Sequence, residues 1–100
     1  MDNEAFVKAP FVAVNNSGYT MTFSNGWTVS VMWGAGNYAS NRGKLYNEPR
    51  QHNGFGSQTA EIAAWHNDGR NWEFGPGYHY DGYRNPNEIA DLISEIKNSH

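Results

Sequence analysis

One hundred residues set the scale of a single domain, long enough to bury one core without help from a metal or a disulfide. The chain has no cysteine, which excludes a disulfide framework and any thiolate metal site and suits a reducing compartment. A net charge of −3, with seven Lys and Arg residues scattered singly, speaks against the phosphate-tracking surface that sequence-independent DNA or RNA binding needs.

Residues 1–17 read as an N-terminal arm or edge strand. The start, Met1-Asp2-Asn3-Glu4, has no basic residues, and the apolar run at 11–14 is far too short for a signal sequence or a membrane span. A cytoplasmic protein is expected. Residues 6–14 carry β-branched and aromatic side chains broken by Pro10, which a sheet edge tolerates. Asn15-Asn16-Ser17-Gly18 then reads as a turn.

Residues 18–33 read as a first hairpin. Tyr19, Met21 and Phe23 alternate with polar residues, as do Trp27, Val29, Val31 and Trp33 beyond Ser24-Asn25-Gly26. A two-residue loop would set Phe23 against Thr28 and mix the two faces. A three-residue loop sets Phe23 opposite Trp27, Met21 opposite Val29 and Tyr19 opposite Val31. The register thus predicts a type I turn followed by Gly26 in the left-handed region.

Residues 34–58 form a long stretch without periodicity, and such loops are usually functional or disordered. Tyr38, Tyr46 and Phe55 argue against a purely solvated linker. Gly34 and Gly36 follow a strand, where glycines let backbone N–H groups approach an anion, with Arg42 and Lys44 as cationic partners. The third glycine of a dinucleotide fingerprint and the Lys-Ser/Thr of a P-loop are missing, so a sharp exit from the strand is the plainer reading.

Residues 59–75 repeat the hairpin logic around Asn67-Asp68-Gly69. That turn pairs His66 with Arg70, Ala64 with Trp72 and Ile62 with Phe74. It places Glu61 and Glu73 diagonally on the outer face, where acid–base work competes with ordinary solvation. Trp65 falls on that same face, as a contact residue or beneath the N-terminal segment or a loop.

Residues 75–83 form a second polar-aromatic connection. His79-Tyr80-Asp81 offers two metal-capable side chains but no third ligand, so the sequence calls for no metal and no other cofactor. His52 and His66 read as polar surface residues, His66 as neutral scaffolding beside Arg70. Nothing forms a nucleophile–His–carboxylate set.

Residues 86–97 read as a helix. Asn85 caps it, Pro86 fits the first position, and Glu88 completes a capping box. Ile89, Leu92, Ile93 and Ile96 make one apolar stripe. The expected fold is therefore α+β: an antiparallel sheet of two hairpins, with room for an N-terminal edge strand, packed against one C-terminal helix.

Four strings carry a resemblance. They are Thr22-Phe23-Ser24-Asn25-Gly26-Trp27-Thr28-Val29-Ser30-Val31; Gly34-Ala35-Gly36-Asn37-Tyr38 with Asn41-Arg42; Thr59-Ala60-Glu61-Ile62-Ala63-Ala64-Trp65; and Gly82-Tyr83-Arg84-Asn85-Pro86-Asn87-Glu88-Ile89-Ala90-Asp91-Leu92-Ile93. In this order the chain resembles a group of small uncharacterised proteins encoded by tailed bacteriophages, over roughly residues 20–96. The resemblance transfers no catalytic motif. What it implies is a setting, the host cytoplasm, and a counter-defence or host-takeover role exerted by binding.

The sequence is read accordingly as a non-catalytic binder of a host immune protein or of a nucleotide immune signal. Its contacts would come from the 34–58 and 75–83 loops, with Gly34, Gly36, Asn37, Tyr38, Asn41, Arg42, Tyr46, Arg50 and Phe55 as the candidate residues. Two readings from other classes compete. One is a homo-oligomeric assembly protein pairing through an open edge strand. The other is a small hydrolase using Glu61, Glu73 or His79.

Overall fold

The computed structural model describes residues 9–14, 17–34, 36–40, 42–43 and 56–100. Among them five strands, β1 (Phe11–Ala13), β2 (Gly18–Thr22), β3 (Trp27–Met32), β4 (Ala60–His66) and β5 (Tyr80–Arg84), form one sheet in the order β1-β2-β3-β4-β5. Every neighbouring pair is antiparallel, so the sheet is a plain meander. One helix, α1 (Pro86–Lys97), follows and packs on β3 and β4.

The first hairpin follows the parity of its side chains. Tyr19 lies opposite Val31 and Met21 opposite Val29. Phe23 N–H donates to the Trp27 carbonyl at 2.8 Å, and Gly26 N–H donates to the Phe23 carbonyl at 3.0 Å. Gly26 has φ +96°, the left-handed value that a three-residue turn requires. On the other side of β2, Phe11 faces Met21, and Thr22 N–H bonds Pro10 O. The edge strand thus starts just past the proline, which lacks the N–H a ladder would need.

The second hairpin departs from expectation. Its turn forms as read: His66 N–H donates to Arg70 O, Gly69 N–H to His66 O, and Gly69 has φ +99°. Trp72 N–H then reaches Ala64 O at 3.0 Å, and Trp65 bridges Asn71. There the ladder stops. Ile62 pairs with Asp81 rather than with Phe74. The cause lies in Gly75-Pro76-Gly77-Tyr78, which closes a turn with Tyr78 N–H on Gly75 O and Gly77 at φ +80°. Proline before a left-handed glycine suits a type II turn and breaks a strand. Phe74 still packs on the core from this excursion, so its burial does not depend on strand pairing.

The edge strand β5 takes the vacated place, with a bulge. Ala60 pairs with Arg84 and Ile62 with Asp81, so Gly82 and Tyr83 together oppose Glu61. Tyr83 is the bulged residue in the left-handed region, at φ +57°.

The helix is the one anticipated. Glu88 N–H donates to Asn85 Oδ1 at 2.8 Å and Asn85 N–H to Glu88 Oε1 at 2.9 Å, a complete capping box. At its other end Asn25 Nδ2 donates to the carbonyls of Ile96, Lys97 and Ser99 at 2.8–3.1 Å. The first turn of the sheet therefore also satisfies the end of the helix. Trp27, Val29, Val31, Ile62, Ala64, Ile89 and Ile96 are buried together between the two layers. Thr28 is buried on the other face, sharing a hydrogen bond with Thr22 at 2.8 Å. No helix among the described residues is long and apolar enough to cross a membrane.

Candidate functional site

Parity decides which side chains leave the sheet opposite the helix. Ile62 points to α1, so Thr59, Glu61 and Ala63 belong to the other face, with Tyr80 across from Ala63. The loop after β3 comes down on this second face. Glu61 accepts hydrogen bonds from the Tyr38 backbone N–H at 2.9 Å and from Asn37 Nδ2 at 3.3 Å. Thr59 Oγ1 accepts from Ser40 N–H at 2.9 Å and lies 2.6 Å from the Ser40 hydroxyl. Tyr38 O in turn accepts from Tyr83 N–H at 2.8 Å. Ala39 ends up 1 % exposed although it sits in a loop. The segment is pinned, not projecting.

Gly82 makes that docking feasible. A Cβ there would lie 2.5 Å from the Tyr38 Cβ and 3.0 Å from its carbonyl oxygen. The missing side chain lets two backbones approach closely.

The result is a cluster of rings. Tyr38 and Tyr80 stack with planes 4° apart and centroids 5.3 Å apart, and Tyr83 meets Tyr38 edge-on at 6.3 Å. The Arg42 guanidinium lies 4.2 Å from the Tyr38 ring centre, within cation–π range, and donates to Gly36 O. Together with Phe74 and Tyr78 these rings line a shallow recess of about 430 Å³ at the β5 edge. Tyr78, Tyr80 and Tyr83 remain 64 %, 45 % and 52 % exposed. Large aromatic rings left open together on a small domain are an informative observation.

A hydrogen bond with the Tyr38 phenol, and after it the Glu61 carboxylate among other neighbours, pushes the Tyr80 phenol above its ordinary value. Tyr80 is thus a neutral phenol at physiological pH. Asp81, by its hydrogen bond and charge, and then Glu88 hold the Arg84 guanidinium above its ordinary value; the contacts are 2.8 and 3.2 Å.

The candidate residues named from sequence separate into three groups. Tyr38, Arg42, Gly36 and Asn37 come together at this recess or along its support. Gly34 is buried, with Asn37 Oδ1 and Ser17 Oγ within 3.0–3.3 Å of where its Cβ would stand, so it offers no surface. Asn41, Tyr46, Arg50 and Phe55 lie outside the described residues. The phosphate cradle considered for Gly34 to Tyr38 is already filled. Asn37 N–H bonds Gly34 O, and the carboxylate of Glu61 takes the donors an anion would need.

Sequence reasoning named none of Phe74, Tyr78, Tyr80 and Tyr83 individually as a contact residue, and placed Phe74 on the core face opposite Ile62. Their signal was the spacing Tyr78-x-Tyr80-x-x-Tyr83 among glycines, with no apolar alternation to bury the rings. The proposed diagonal pairing of Glu61 with Glu73 does not form. β5 occupies that position, Ala63 faces Tyr80, and Glu73 lies with Arg70 and His79 on the wall of a separate recess. Among the described residues no three His, Asp or Glu side chains cluster as metal ligands would.

His66 proves to be a structural tie. Its Nδ1 accepts from Asp68 N–H, which leaves Nε2 to donate to Asn25 O at 2.9 Å and so joins the two turns. Its ring stands edge-on to Trp27 at 5.1 Å.

No protein-family model, no curated protein and no solved structure matches this chain.

Proposed function

We propose that this chain is a phage accessory protein, acting in counter-defence or host takeover, that works in the host cytoplasm by binding a host immune protein without catalysis. The observation that carries the reading is the tyrosine recess. Rings from the loop at 36–40, the excursion at 74–78 and strand β5 converge on one exposed patch held by backbone hydrogen bonds. Tyrosine supplies contact area at little entropic cost, and Tyr with Arg dominates the residues that carry binding energy in interfaces. The setting rests on the resemblance to tailed-phage proteins.

A protein partner fits better than the other proposed partner, a nucleotide immune signal. The recess is shallow, and the N–H donors beside it already serve Glu61. A phage-protection assay with capture from infected lysate tests the reading. The Tyr80→Ala/Tyr83→Ala double variant should fold as the parent does while losing both protection and capture of the host protein. Protection retained in full by that variant overturns the reading, and co-purification of a nucleotide in place of a protein changes the partner.

A second reading, self-assembly, draws on β1. Phe11 is 74 % exposed on a three-residue edge strand, where an antiparallel copy could add to the sheet. Sedimentation separates the two readings: a symmetric assembly that Phe11→Lys disperses favours assembly, and a monomer favours the binder.

A further inference from the structure

The first turn of the sheet carries a reactive dipeptide. Asn25 precedes Gly26, and a glycine there leaves the backbone nitrogen open to the neighbouring side chain. In an unconstrained Asn-Gly pair that nitrogen attacks the side-chain amide carbon. A bond forms from Gly26 N to Asn25 Cγ, the Cγ–Nδ2 bond breaks, and ammonia leaves with the proton that Gly26 gave up. Water then opens the resulting succinimide to aspartate or isoaspartate, with no change of oxidation state. The sequence has a second such pair, Asn53-Gly54, outside the described residues.

At Asn25 the fold opposes each part of that step. Oδ1 accepts from Trp27 N–H at 3.1 Å, and Nδ2 donates to the carbonyls of Ile96, Lys97 and Ser99. The planar amide must become tetrahedral at Cγ and let Nδ2 go, yet these bonds fix both its plane and that nitrogen. Gly26 N–H donates to Phe23 O at 3.0 Å, which favours the protonated nitrogen over the deprotonated one that attacks. The turn has little room to reshape. His66 Nε2 donates to Asn25 O at 2.9 Å, and that nitrogen stands 2.7 Å from where a Gly26 Cβ would be. Any opening that lifts the end of α1 from this turn releases Nδ2.

We propose that Asn25 is a spontaneous deamidation site that the end of α1 keeps closed, and that its conversion makes loss of the fold permanent. The product carboxylate has no N–H for the three carbonyls and brings negative charge to the negative end of the helix dipole. Isoaspartate also lengthens the backbone of the turn by a carbon, which breaks the three-residue register joining Phe23 to Trp27. The chain resists this chemistry while folded and is marked by it once unfolded. The tyrosine recess plays no part in it.

Peptide mapping by mass spectrometry, on the whole chain at mildly alkaline pH, follows the conversion. Asn25 should convert at least about tenfold more slowly in the native chain than in the same chain unfolded in urea. A peptide of residues 20–30 in the same urea gives the unrestrained rate. Ile96→Val, a buried change that leaves the carbonyl in place, should speed native conversion about two- to tenfold by loosening the helix end. Chains aged in urea should refold in a yield that falls in step with Asn25 conversion. Asn25→Ala, having no amide to lose, should keep its yield. Equal rates in folded and unfolded chains, or no conversion in the unfolded chain, overturn the proposal. An unchanged rate in Ile96→Val overturns the part given to the helix. A yield that declines as fast in Asn25→Ala as in the parent overturns the permanence. Should Asn25→Ala fail to fold, separating the refolded from the aggregated parent decides. Converted Asn25 should concentrate in the aggregate, and equal conversion in both fractions overturns the permanence as well.

Discussion

The two hairpins start from the same device and end differently. Each has a three-residue turn closed by a left-handed glycine, Gly26 in one and Gly69 in the other. After Gly26 the chain continues as a full strand, whereas after Gly69 it keeps only the contacts at Arg70, Asn71 and Trp72 before leaving. A turn fixes the first pairs of a hairpin and nothing beyond them. Later pairs form only if the strand runs on, and Pro76-Gly77 ends it. The departure frees the 74–79 stretch to carry rings outward, so the irregular hairpin supplies the candidate surface and the regular one supplies the scaffold.

The largest effect should come from where the second hairpin hands over to β5. Ile62 is wholly buried and faces Asp81, so Ile62→Ala should cost about 2–5 kcal/mol in denaturant unfolding. A loss below that range would mean that the handover is loosely packed.

Next, the two turn glycines should separate. A Cβ on Gly26 would lie 2.7 Å from the His66 ring nitrogen, whereas one on Gly69 would meet open space. Gly69→Ala should cost about 1 kcal/mol from the left-handed backbone alone, and Gly26→Ala about 2–3 kcal/mol. Equal melting temperatures would refute the asymmetry.

The turns also differ in what they hold. Asn25 bonds three carbonyls at the end of α1, whereas the Asp68 side chain meets Arg70 in the open. Asn25→Ala should destabilise by about 1–2 kcal/mol. Asp68→Ala, which removes only a solvent-screened contact, should leave the melting temperature nearly unchanged.

The smallest effect concerns pH. The Asn85 backbone N–H, and after it Arg84, hold the Glu88 carboxyl below its ordinary value. A group depressed on folding stabilises the folded state above its unfolded pKa, roughly 4.3, and loses that contribution as pH falls through its folded value. Circular dichroism should therefore show the first turn of α1 intact at neutral pH and fraying only below that unfolded value. Glu88→Gln should remove that step.

Much of the fold was legible because its signals are local. The alternation at 19–33 and the Asn85-Pro86-x-Glu88 cap each specify geometry within a few residues. β5 was not legible, since Tyr80-Asp81-Gly82-Tyr83-Arg84 has no buried alternation and is strand only through pairing with β4. The site was half legible. Tyr38 and Arg42 stood out by type, but the acceptor that pins Tyr38, Glu61, looked like a solvated sheet carboxylate. Its partner is more than twenty residues away, and no short-range pattern encodes such a contact.

The Asn25 amide reaches across 71 to 74 positions of sequence to find its carbonyls. On the ribosome, Trp27 and its turn emerge while the helix they will seal has yet to be made. The first hairpin therefore waits, its aromatic face uncovered, until residues 89–99 have emerged. Nascent chains halted before Ile96 should be the ones that need a chaperone.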